Sequence, residues 1–306
     1  MSVITVAAGE HAIQAVKNWE EFAALTEQQV RAANAELLVF AEYGSMGLVA
    51  ALPEPERAIL ATQLAGMQQF ADKYRALFCQ LAQQFQKWIV APTFPFAIAS
   101  EKITPEHYVN RAWIAGPKGQ CFFQDKLHMT RFEREQFDIK TGDALHVIDA
   151  GHFRFAVAIC YDCEFPQQVH ALVAAGAQII AVPSCTDAEH GFNRVRVSAQ
   201  ARALENQCFV VQAPLTGEAP WCEAIDINIG TAGIFSPVDR GFPADGTLAN
   251  GADNTGWAIA QCNLATMQEV RNDGQVFNLR DWQQPIPSIT TLPLQQPIPE
   301  NKKLMR

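Results

Sequence analysis

Residues 157–166, Val-Ala-Ile-Cys-Tyr-Asp-Cys-Glu-Phe-Pro, contain the pattern that decides the fold. An apolar run ends at Cys160, and Pro166 indicates a helix that starts after a short turn. A cysteine in this position is presented at an edge, where helical N–H groups can lower the pKa of its thiol and stabilise an oxyanion. The alternative is a buried cysteine that simply ends a strand, which is common for a free cysteine. The local sequence leaves both interpretations open.

Strand-like and helix-like segments alternate on both sides of this stretch. The predicted strands are residues 3–8, 37–40, 88–91, 111–115, 119–123, 145–148, 153–159, 179–182, 209–211, 233–235 and 256–261. The predicted helices are residues 19–33, 56–87, 167–176 and 193–206. This alternation predicts an α/β class with layered sheets.

One face of the long predicted helix at residues 56–87 is apolar and partly aromatic. Its members recur at steps of three and four residues, namely Met67, Phe70, Tyr74, Leu77, Leu81 and Phe85. Such a stripe could line a ligand groove, but stripes at helical spacing normally face the core. We therefore interpret it as core packing.

The composition limits the class of protein. The chain has 306 residues, 49% of them hydrophobic and 18% charged, which supports a sizeable packed core. A formal net charge of -9 and the lack of a basic stripe argue against a nucleic-acid partner. No apolar stretch reaches the ~18 residues of a membrane span, and the N-terminus resembles a first strand more than a signal peptide, so we expect no membrane partner and a cytoplasmic location.

The organisation along the chain indicates one large domain followed by a tail. No linker divides the sequence before residue 283, so we assign residues 1–282 to a single domain. Residues 283–306 contain five prolines and few core-forming patterns. We expect these residues to form an extended tail that lies across its own domain or a neighbouring subunit.

Eight cysteines are spaced irregularly in a long chain, which does not suggest a disulfide framework. Cys160 and Cys163 form a C-x-x-C pair, which is also found in redox dithiols and in zinc sites. A zinc site needs a second pair of ligands, and no second C-x-x-C exists. His146 and His152 precede the cysteines with no helix to present them together. We therefore expect neither a metal nor a cofactor, and keep a redox or metal protein as a weaker alternative.

A nucleophilic thiol needs a base and a group that stabilises negative charge. None of the seven histidines lies in a recognisable cysteine-protease signature, so we considered carboxylates and a lysine. Glu42 follows an apolar strand, where poor solvation should raise its pKa toward that of a useful base. Lys126 also follows an apolar run, and Glu133 lies a short way further on. The plainer interpretations are a solvated acid, a surface amine and one acid in a charged run.

Taken in chain order, these residues resemble the nitrilase superfamily of carbon–nitrogen hydrolases. The shared motifs are Glu42 after a strand, Lys126 in Lys-Leu-His, and Cys160 in Cys-Tyr-Asp-x-Glu-Phe-Pro. The segments Val-Pro-Ser at 182–184 and Ala-Arg-Ala-Leu-Glu-Asn at 201–206 are also similar. The likeness implies a four-layer α-β-β-α sandwich, usually a homodimer formed through its α face, and we expect a homodimer or a higher homo-oligomer.

The resemblance also implies roles for individual residues. It gives Cys160 as nucleophile, Glu42 as general base and Lys126 as charge stabiliser. It gives Glu133 as a second glutamate that orients the lysine or the base. Glu135 is a rival for this last position, because the surrounding motif matches loosely.

Further residues are implied more weakly. The resemblance places the backbone N–H of Tyr161 in the oxyanion site, gives Glu164 a supporting role, and makes Tyr43, Ser184 and Cys185 candidate substrate contacts. The cysteine motif is closer to the amidase branches than to true nitrilases. We therefore expect hydrolysis of a small amide through a thioester, with release of ammonia or an amine. Nitrile hydrolysis, N-carbamoyl amide hydrolysis and a catalytically silent binding or regulatory protein remain alternatives.

Overall fold

The computed structural model describes residues 3–98 and 107–291. The strands in these ranges are β1 (Val3–Gly9), β2 (Leu37–Val39), β3 (Trp88–Val90), β4 (Phe94–Ile98), β5 (His107–Ala115), β6 (Cys121–Asp125), β7 (Ile139–Lys140), β8 (Val147–Asp149), β9 (Arg154–Val157), β10 (Ile179–Ser184), β11 (Phe209–Pro214), β12 (Gly217–Glu218), β13 (Ile227–Asn228), β14 (Gly233–Phe235), β15 (Thr247–Asn250) and β16 (Trp257–Asn263). The helices are α1 (Trp19–Ala32), α2 (Glu54–Arg57), α3 (Leu60–Met67), α4 (Ala71–Phe85), α5 (Arg131–Glu135), α6 (Pro166–Ala174), α7 (Glu189–Asn206), α8 (Leu264–Asp273) and α9 (Asn278–Asp281). Short 3-10 helices span Gly44–Ala51, Gln68–Phe70, Cys160–Glu164 and Glu223–Ile225.

Two main sheets form the centre of the domain. The first has the order β16-β1-β2-β3-β5-β4, and β6 and β7 also pair with β5. The second has the order β15-β14-β11-β10-β9-β8. The central strands β1, β2 and β3 are parallel to one another, as are β9, β10 and β11.

The two sheets pack face to face through alternate residues of their strands. In β1, Val6 and Ala8 belong to the core between the sheets, whereas Ala7 belongs to the core on the outer face. This alternation follows from the two-residue period of a strand. Trp88 of the first sheet contacts Phe155 of the second, with ring centroids 5.5 Å apart.

Helices cover the outer face of each sheet. On the first sheet, Tyr74 and Phe78 of α4 are fully buried, and Phe78 contacts Phe40 edge-on at 6.0 Å. On the second sheet, Val195 and Ala199 of α7 join the same core as β11. The layers therefore follow the order helix, sheet, sheet, helix, and the expected α/β sandwich is confirmed.

The predicted continuous helix at residues 56–87 is wrong. The segment divides into α2, α3, a 3-10 turn and α4. The first break arises because side chains take the carbonyl groups that a continuous helix would use. Thr62 Oγ1 donates to the Glu56 carbonyl at 2.9 Å, and Gln63 Nε2 donates to the Arg57 carbonyl at 2.7 Å. The apolar stripe nevertheless packs into the outer core, as predicted.

The remaining differences are local. Strands β4, β7, β12, β13 and β15 and helices α5, α8 and α9 were not predicted, and α7 begins four residues before the predicted start. Residues 283–291 are exposed and form neither helix nor strand, while the rest of the predicted tail lies outside the described residues. Within the described ranges, no helix has the length and apolar character required to cross a membrane.

Strand direction brings distant residues to one edge of the molecule. Strand β5 is antiparallel to β3, and β6 is antiparallel to β5, so β6 runs in the same direction as β2 and β3. Glu42 therefore follows β2 at the edge where Lys126 follows β6. Cys160 follows β9, and Cys185 follows β10, at the carboxyl edge of the second sheet.

Candidate active site

A cavity of about 470 Å³ lies where these strand ends meet. It is lined by Glu42, Tyr43, Lys126, Thr130, Arg131, Phe132, Glu133, Cys160, Tyr161, Glu164, Cys185, Thr186, Asp187, Gly191, Arg194, Val195, Glu223, Ala224, Ile225, Asp226 and Ile227. The cavity thus brings together the four residues to which the sequence analysis assigned catalytic roles.

Cys160 begins the 3-10 helix that links β9 to α6. Its φ of 50° lies in the left-handed region, which is uncommon for a residue with a side chain and typical of strained functional positions. The side chain is 3% exposed, and its sulfur lies 3.7 Å from the carbonyl oxygen of Cys185. Burial, followed by the charge of Glu42, raises the pKa of the thiol well above its usual value. The expected lowering of this pKa by helical N–H groups is wrong, because burial and the charge of Glu42 outweigh any such effect.

Lys126 lies between two carboxylates. Its Nζ donates to Glu42 Oε1 at 2.7 Å and to Glu133 Oε2 at 2.6 Å, and the residue is 1% exposed. Burial lowers the pKa of Lys126, but the charges of Glu133 and Glu42 outweigh this effect and raise it well above its ordinary value. The site therefore holds a permanent ammonium group in a region from which water is largely excluded.

The two carboxylates differ in protonation because their surroundings differ. Burial raises the pKa of Glu42 to about 7, against the opposing effect of Lys126. Glu133 is also buried, but Lys126, the backbone N–H of Thr130 and the hydroxyl of Tyr43 lower its pKa below the ordinary value. Glu133 is thus the ionised partner of the lysine, and Glu42 can exchange a proton near neutral pH. The predicted rise in the pKa of Glu42 is confirmed.

Glu133 is fixed by the start of helix α5. Thr130 caps this helix: its hydroxyl accepts from the Glu133 N–H at 3.3 Å, and the Thr130 N–H donates to Glu133 Oε2 at 2.9 Å. Tyr43 donates its hydroxyl to Glu133 Oε1 at 2.8 Å. Glu135, the rival for this position, is half exposed and pairs with Arg131 at 2.8 Å. The structure therefore places Glu133, and not Glu135, in the cavity wall beside Lys126.

Asn110 was missed by the sequence analysis. Its Nδ2 donates to Glu42 Oε1 at 2.8 Å and to Glu133 Oε1 at 3.2 Å, so one amide group bridges both carboxylates. Asn110 is fully buried in β5, and its carbonyl accepts from the N–H of Lys126 at 2.9 Å. The available signal was an amide directly before the predicted strand at residues 111–115, since an amide that becomes buried requires partners.

Asp162 was also missed as a positioning residue. Its carboxylate accepts from the backbone N–H of Leu127 at 3.1 Å and of His128 at 2.7 Å, and lies 3.0 Å from His128 Nδ1. The ring of His128 stacks on Phe165 with centroids 3.8 Å apart. Asp162 therefore connects the 3-10 helix that begins at Cys160 to the loop that follows Lys126, which fixes the thiol and the ammonium relative to each other.

Of the residues that the resemblance implied more weakly, all except Ser184 line the cavity. Tyr161, Glu164 and Cys185 line the cavity together with Tyr43, and Glu164 lies 3.5 Å from the guanidinium of Arg194. Cys185 donates its thiol to Asn228 Oδ1 at 3.2 Å.

Ser184 is a correction to the expected substrate contacts. It is buried and does not belong to the cavity lining, and its hydroxyl donates to the carbonyl of Ala213 at 3.5 Å. The strand period explains this, because consecutive residues of β10 point to opposite faces, and the cavity wall begins with Cys185, the first residue after the strand.

Cys163, the second member of the C-x-x-C pair, lies away from the cavity. It is fully buried, its thiol is free, and burial raises its pKa to about 12. Within residues 3–98 and 107–291, no group of three histidine, cysteine, aspartate or glutamate side chains could hold a metal ion. The arrangement in the cavity instead suits proton transfer next to a thiol, with an ammonium in place for a developing negative charge.

Comparison with known proteins identifies the family. A family model described as carbon-nitrogen hydrolase matches residues 5–272. The probable hydrolase YhcX of Bacillus subtilis (strain 168) is 31% identical over 276 residues. The alignment covers 89% of this chain but only 52% of YhcX, so this chain spans about half the length of that relative. A deaminated glutathione amidase of Synechocystis sp. (strain PCC 6803 / GT-S) is 30% identical over 210 residues, which are 62% of this chain and 70% of that protein.

A solved structure has the same fold. The NitFhit protein of C. elegans aligns with a TM-score of 0.71 and 19% identity, over 89% of this chain and 63% of that chain. This likeness agrees with the helix, sheet, sheet, helix layers described above. Because the family model covers most of the chain and the fold agrees, the resemblance inferred from the sequence is confirmed. The chain belongs to the carbon-nitrogen hydrolase family.

Proposed function

We propose that this protein hydrolyses the carbon–nitrogen bond of a small amide, with Cys160 as the nucleophile. The observation that supports this most directly is the position of Lys126 Nζ, 2.7 Å from Glu42 and 2.6 Å from Glu133, in the wall of a cavity that also contains the Cys160 thiol. Covalent catalysis by a neutral thiol requires an adjacent base and an electrostatic stabiliser, and both are present.

The first step is activation of the thiol. The charge of Glu42 acts on the neighbouring Cys160 thiol and raises its pKa, while burial raises the pKa of Glu42 itself to about 7. Glu42 can therefore accept the thiol proton as the sulfur attacks the amide carbon. A thiolate formed only during attack avoids the cost of holding a second anion beside Glu42 in a buried site.

The second requirement is stabilisation of the oxyanion. We assign this role to Lys126 Nζ and to the backbone N–H of Tyr161, which is among the first N–H groups of the 3-10 helix and has no partner within it. Glu133 and Asn110 hold the lysine and Glu42 in place and do not touch the reacting atoms. Positioned charge in a dry cavity is usually the largest contribution to catalysis.

The remaining steps release both products. Glu42 returns its proton to the departing nitrogen, so ammonia or an amine leaves and a thioester of Cys160 remains. Water, deprotonated by Glu42, then attacks the thioester carbon, and the acid product leaves as Cys160 regains its proton. Each proton taken by Glu42 is returned within the cycle, so the reaction needs no cofactor.

The amide class is supported by the cysteine motif and by the deaminated glutathione amidase among the relatives. Nitriles and N-carbamoyl compounds present an electrophilic carbon to the same thiol and are the alternative substrates. A silent binding or regulatory protein would not require Glu42, Lys126 and Cys160 to be held together in one cavity. We also propose that the protein acts in the cytoplasm as a homodimer.

A substrate panel combined with one substitution tests this proposal. Wild-type protein is assayed for ammonia release on aliphatic amides, amino-acid amides, nitriles and N-carbamoyl amines. We expect turnover of at least one amide, complete loss in Cys160→Ala, and most activity retained in Cys163→Ala. Cys163 is the matched control because it is a buried cysteine three residues away, outside the cavity wall.

The panel separates the alternatives. Turnover of nitriles alone would overturn the amidase assignment but keep the nucleophile. Activity of Cys160→Ala close to that of the wild type would overturn the nucleophile assignment. A mass increase on Cys160 equal to the acyl group, in protein quenched with acid during turnover, would support the thioester.

A further inference from the structure

The hairpin between β5 and β6 lies against the end of helix α4. Gln86 Nε2 donates to the Pro117 carbonyl in the turn of this hairpin at 3.2 Å. Gly119 lies so close to Gln83 that a Cβ at this position would be 2.4 Å from Gln83 Nε2. The last turn of α4 and the hairpin turn are therefore in direct contact on the outer face of the first sheet.

Two cysteines continue this contact by one helical turn. Cys79 precedes Gln83 by four residues, so it lies on the same side of α4. Cys121 is the first residue of β6, two residues after Gly119, and pairs in register with Ala115. The thiols of Cys79 and Cys121 therefore face the same junction between helix and hairpin, where they interact with each other and pack against the same outer core.

Both cysteines have the exposure of reactive thiols, and Cys121 is the member of the pair that ionises more easily, because their interaction lowers the pKa of Cys121 and raises that of Cys79. Both cysteines are partly exposed, whereas Cys163 and Cys208 are fully buried. The interaction with Cys79, together with the charge of Arg75 on α4, lowers the pKa of Cys121 to about 7 despite partial burial. Burial raises the pKa of Cys163 and Cys208 to about 12. A partly exposed thiolate beside an arginine is the environment in which cysteines are oxidised first.

We propose that Cys79 and Cys121 form an oxidation site, in which a peroxide converts the two thiols into a disulfide that joins helix α4 to strand β6. The Cys121 thiolate attacks one oxygen of hydrogen peroxide, breaks the O–O bond and becomes a sulfenic acid, and the released hydroxide takes up a proton to form water. The Cys79 sulfur then displaces the hydroxyl group from Cys121 and loses its proton, which releases a second water. Two thiols lose two electrons in total, and one peroxide is reduced.

The position of the site determines what the disulfide changes. Neither cysteine lines the active-site cavity, and both pack against the core beneath the outer helices. The bond closes a loop of about 40 residues, which restricts the unfolded chain and raises the melting temperature by about 4 to 8 °C. Amide turnover should not change, which distinguishes this site from oxidation of Cys160.

The experiment uses the full-length protein and hydrogen peroxide. After treatment, remaining thiols are blocked with N-ethylmaleimide, and peptides are mapped by mass spectrometry with and without dithiothreitol. We expect a Cys79–Cys121 cross-linked peptide that dithiothreitol releases, and a raised melting temperature of the oxidised protein. The cross-link is absent in Cys79→Ser and in Cys121→Ser, and is retained in Cys208→Ser, the buried control.

Several results would overturn the proposal. One is a Cys121 peptide that gains oxygen atoms without forming a cross-link. Another is full labelling of both cysteines by N-ethylmaleimide after peroxide treatment. Peptide mapping of the wild type alone decides the question if a serine variant does not fold. Because the readout is a covalent bond and not activity, failure here leaves the proposed amide hydrolysis unaffected.

Discussion

Replacement of Asn110 by leucine tests whether the protonation of Glu42 controls catalysis. The Asn110 amide donates to Glu42 Oε1 at 2.8 Å and to Glu133 Oε1 at 3.2 Å in a fully buried site. Its own side-chain oxygen has no hydrogen-bond partner among the described residues, so the amide acts there only as a donor. A donor stabilises the ionised form of a carboxyl group, and its removal must raise the pKa of Glu42.

The size of the effect follows from this contact. A hydrogen bond to a charged group contributes about 1.5–3 kcal/mol, and one pKa unit corresponds to ~1.36 kcal/mol. The pKa of Glu42, about 7 in the wild type, should therefore rise to between about 8 and 9 in Asn110→Leu. At pH 7 the ionised fraction falls from about one half to about 1–10%, which lowers kcat/KM about 5- to 50-fold.

The assay is the pH dependence of kcat/KM for an amide substrate. In the wild type, activity should fall as the pH drops through about 7, because Glu42 gains a proton and can no longer accept one from Cys160. In Asn110→Leu the same fall should occur at higher pH, and much of the lost activity should return at alkaline pH. Gln124→Leu is the matched control, since its buried amide donates to backbone carbonyls of Asp125 and Ala144 and not to either carboxylate.

The reasoning is refuted if Asn110→Leu loses activity equally at every pH. Such a result would mean that Asn110 only supports the fold around the site. An equal displacement of the pH profile in Gln124→Leu would also refute it, because any buried amide in this sheet would then have the same effect.

The remaining predictions concern the other polar groups of the site. Glu133→Gln should lower kcat about 100-fold, because Lys126 is left with one carboxylate partner. Glu135→Gln, on the solvent side of the same helix, should change kcat less than about 2-fold. Steady-state kinetics of both variants test this, and equal losses would contradict the assignment of Glu133. Lys126→Met should lower kcat/KM at least ~100-fold while circular dichroism stays native, and a loss confined to KM would contradict a role in stabilising the oxyanion. Asp162→Asn should lower kcat about 10-fold and leave KM within about 2-fold, because it weakens the hydrogen bonds to the loop that follows Lys126 and does not touch substrate. An unchanged kcat would show that these hydrogen bonds do not position the lysine.

The electrostatics of the site explain why two glutamates beside one lysine can have different roles. Glu133 is ionised because it accepts from Lys126, Thr130 and Tyr43. Glu42 shares the same lysine but has fewer donors, and burial dominates its pKa. One fixed ion pair and one carboxyl group that titrates near neutral pH give the site both a permanent cation and a proton acceptor.

The sequence alone determined the class of fold and most of the candidate site. The apolar pattern located the central strands, because buried parallel strands form short continuous apolar runs whose length and flanking turn residues distinguish them from buried helices. Glu42, Lys126 and Cys160, which come at or shortly after the ends of apolar runs, indicated the carboxyl edge of the sheets. The family resemblance added the order in which these residues act, and the cavity contains all of them.

Tertiary structure decided what depends on contacts between distant residues. Neither the choice of Glu133 over Glu135 nor the exclusion of Ser184 from the cavity could be read from spacing, because each depends on which way a side chain turns at the end of an element. Asn110 gains its importance only from strand pairing, which carries its amide to two carboxylates from other parts of the chain. The protonation states followed from burial, because the free energy of a charge depends on its surroundings in space and not on its neighbours in sequence.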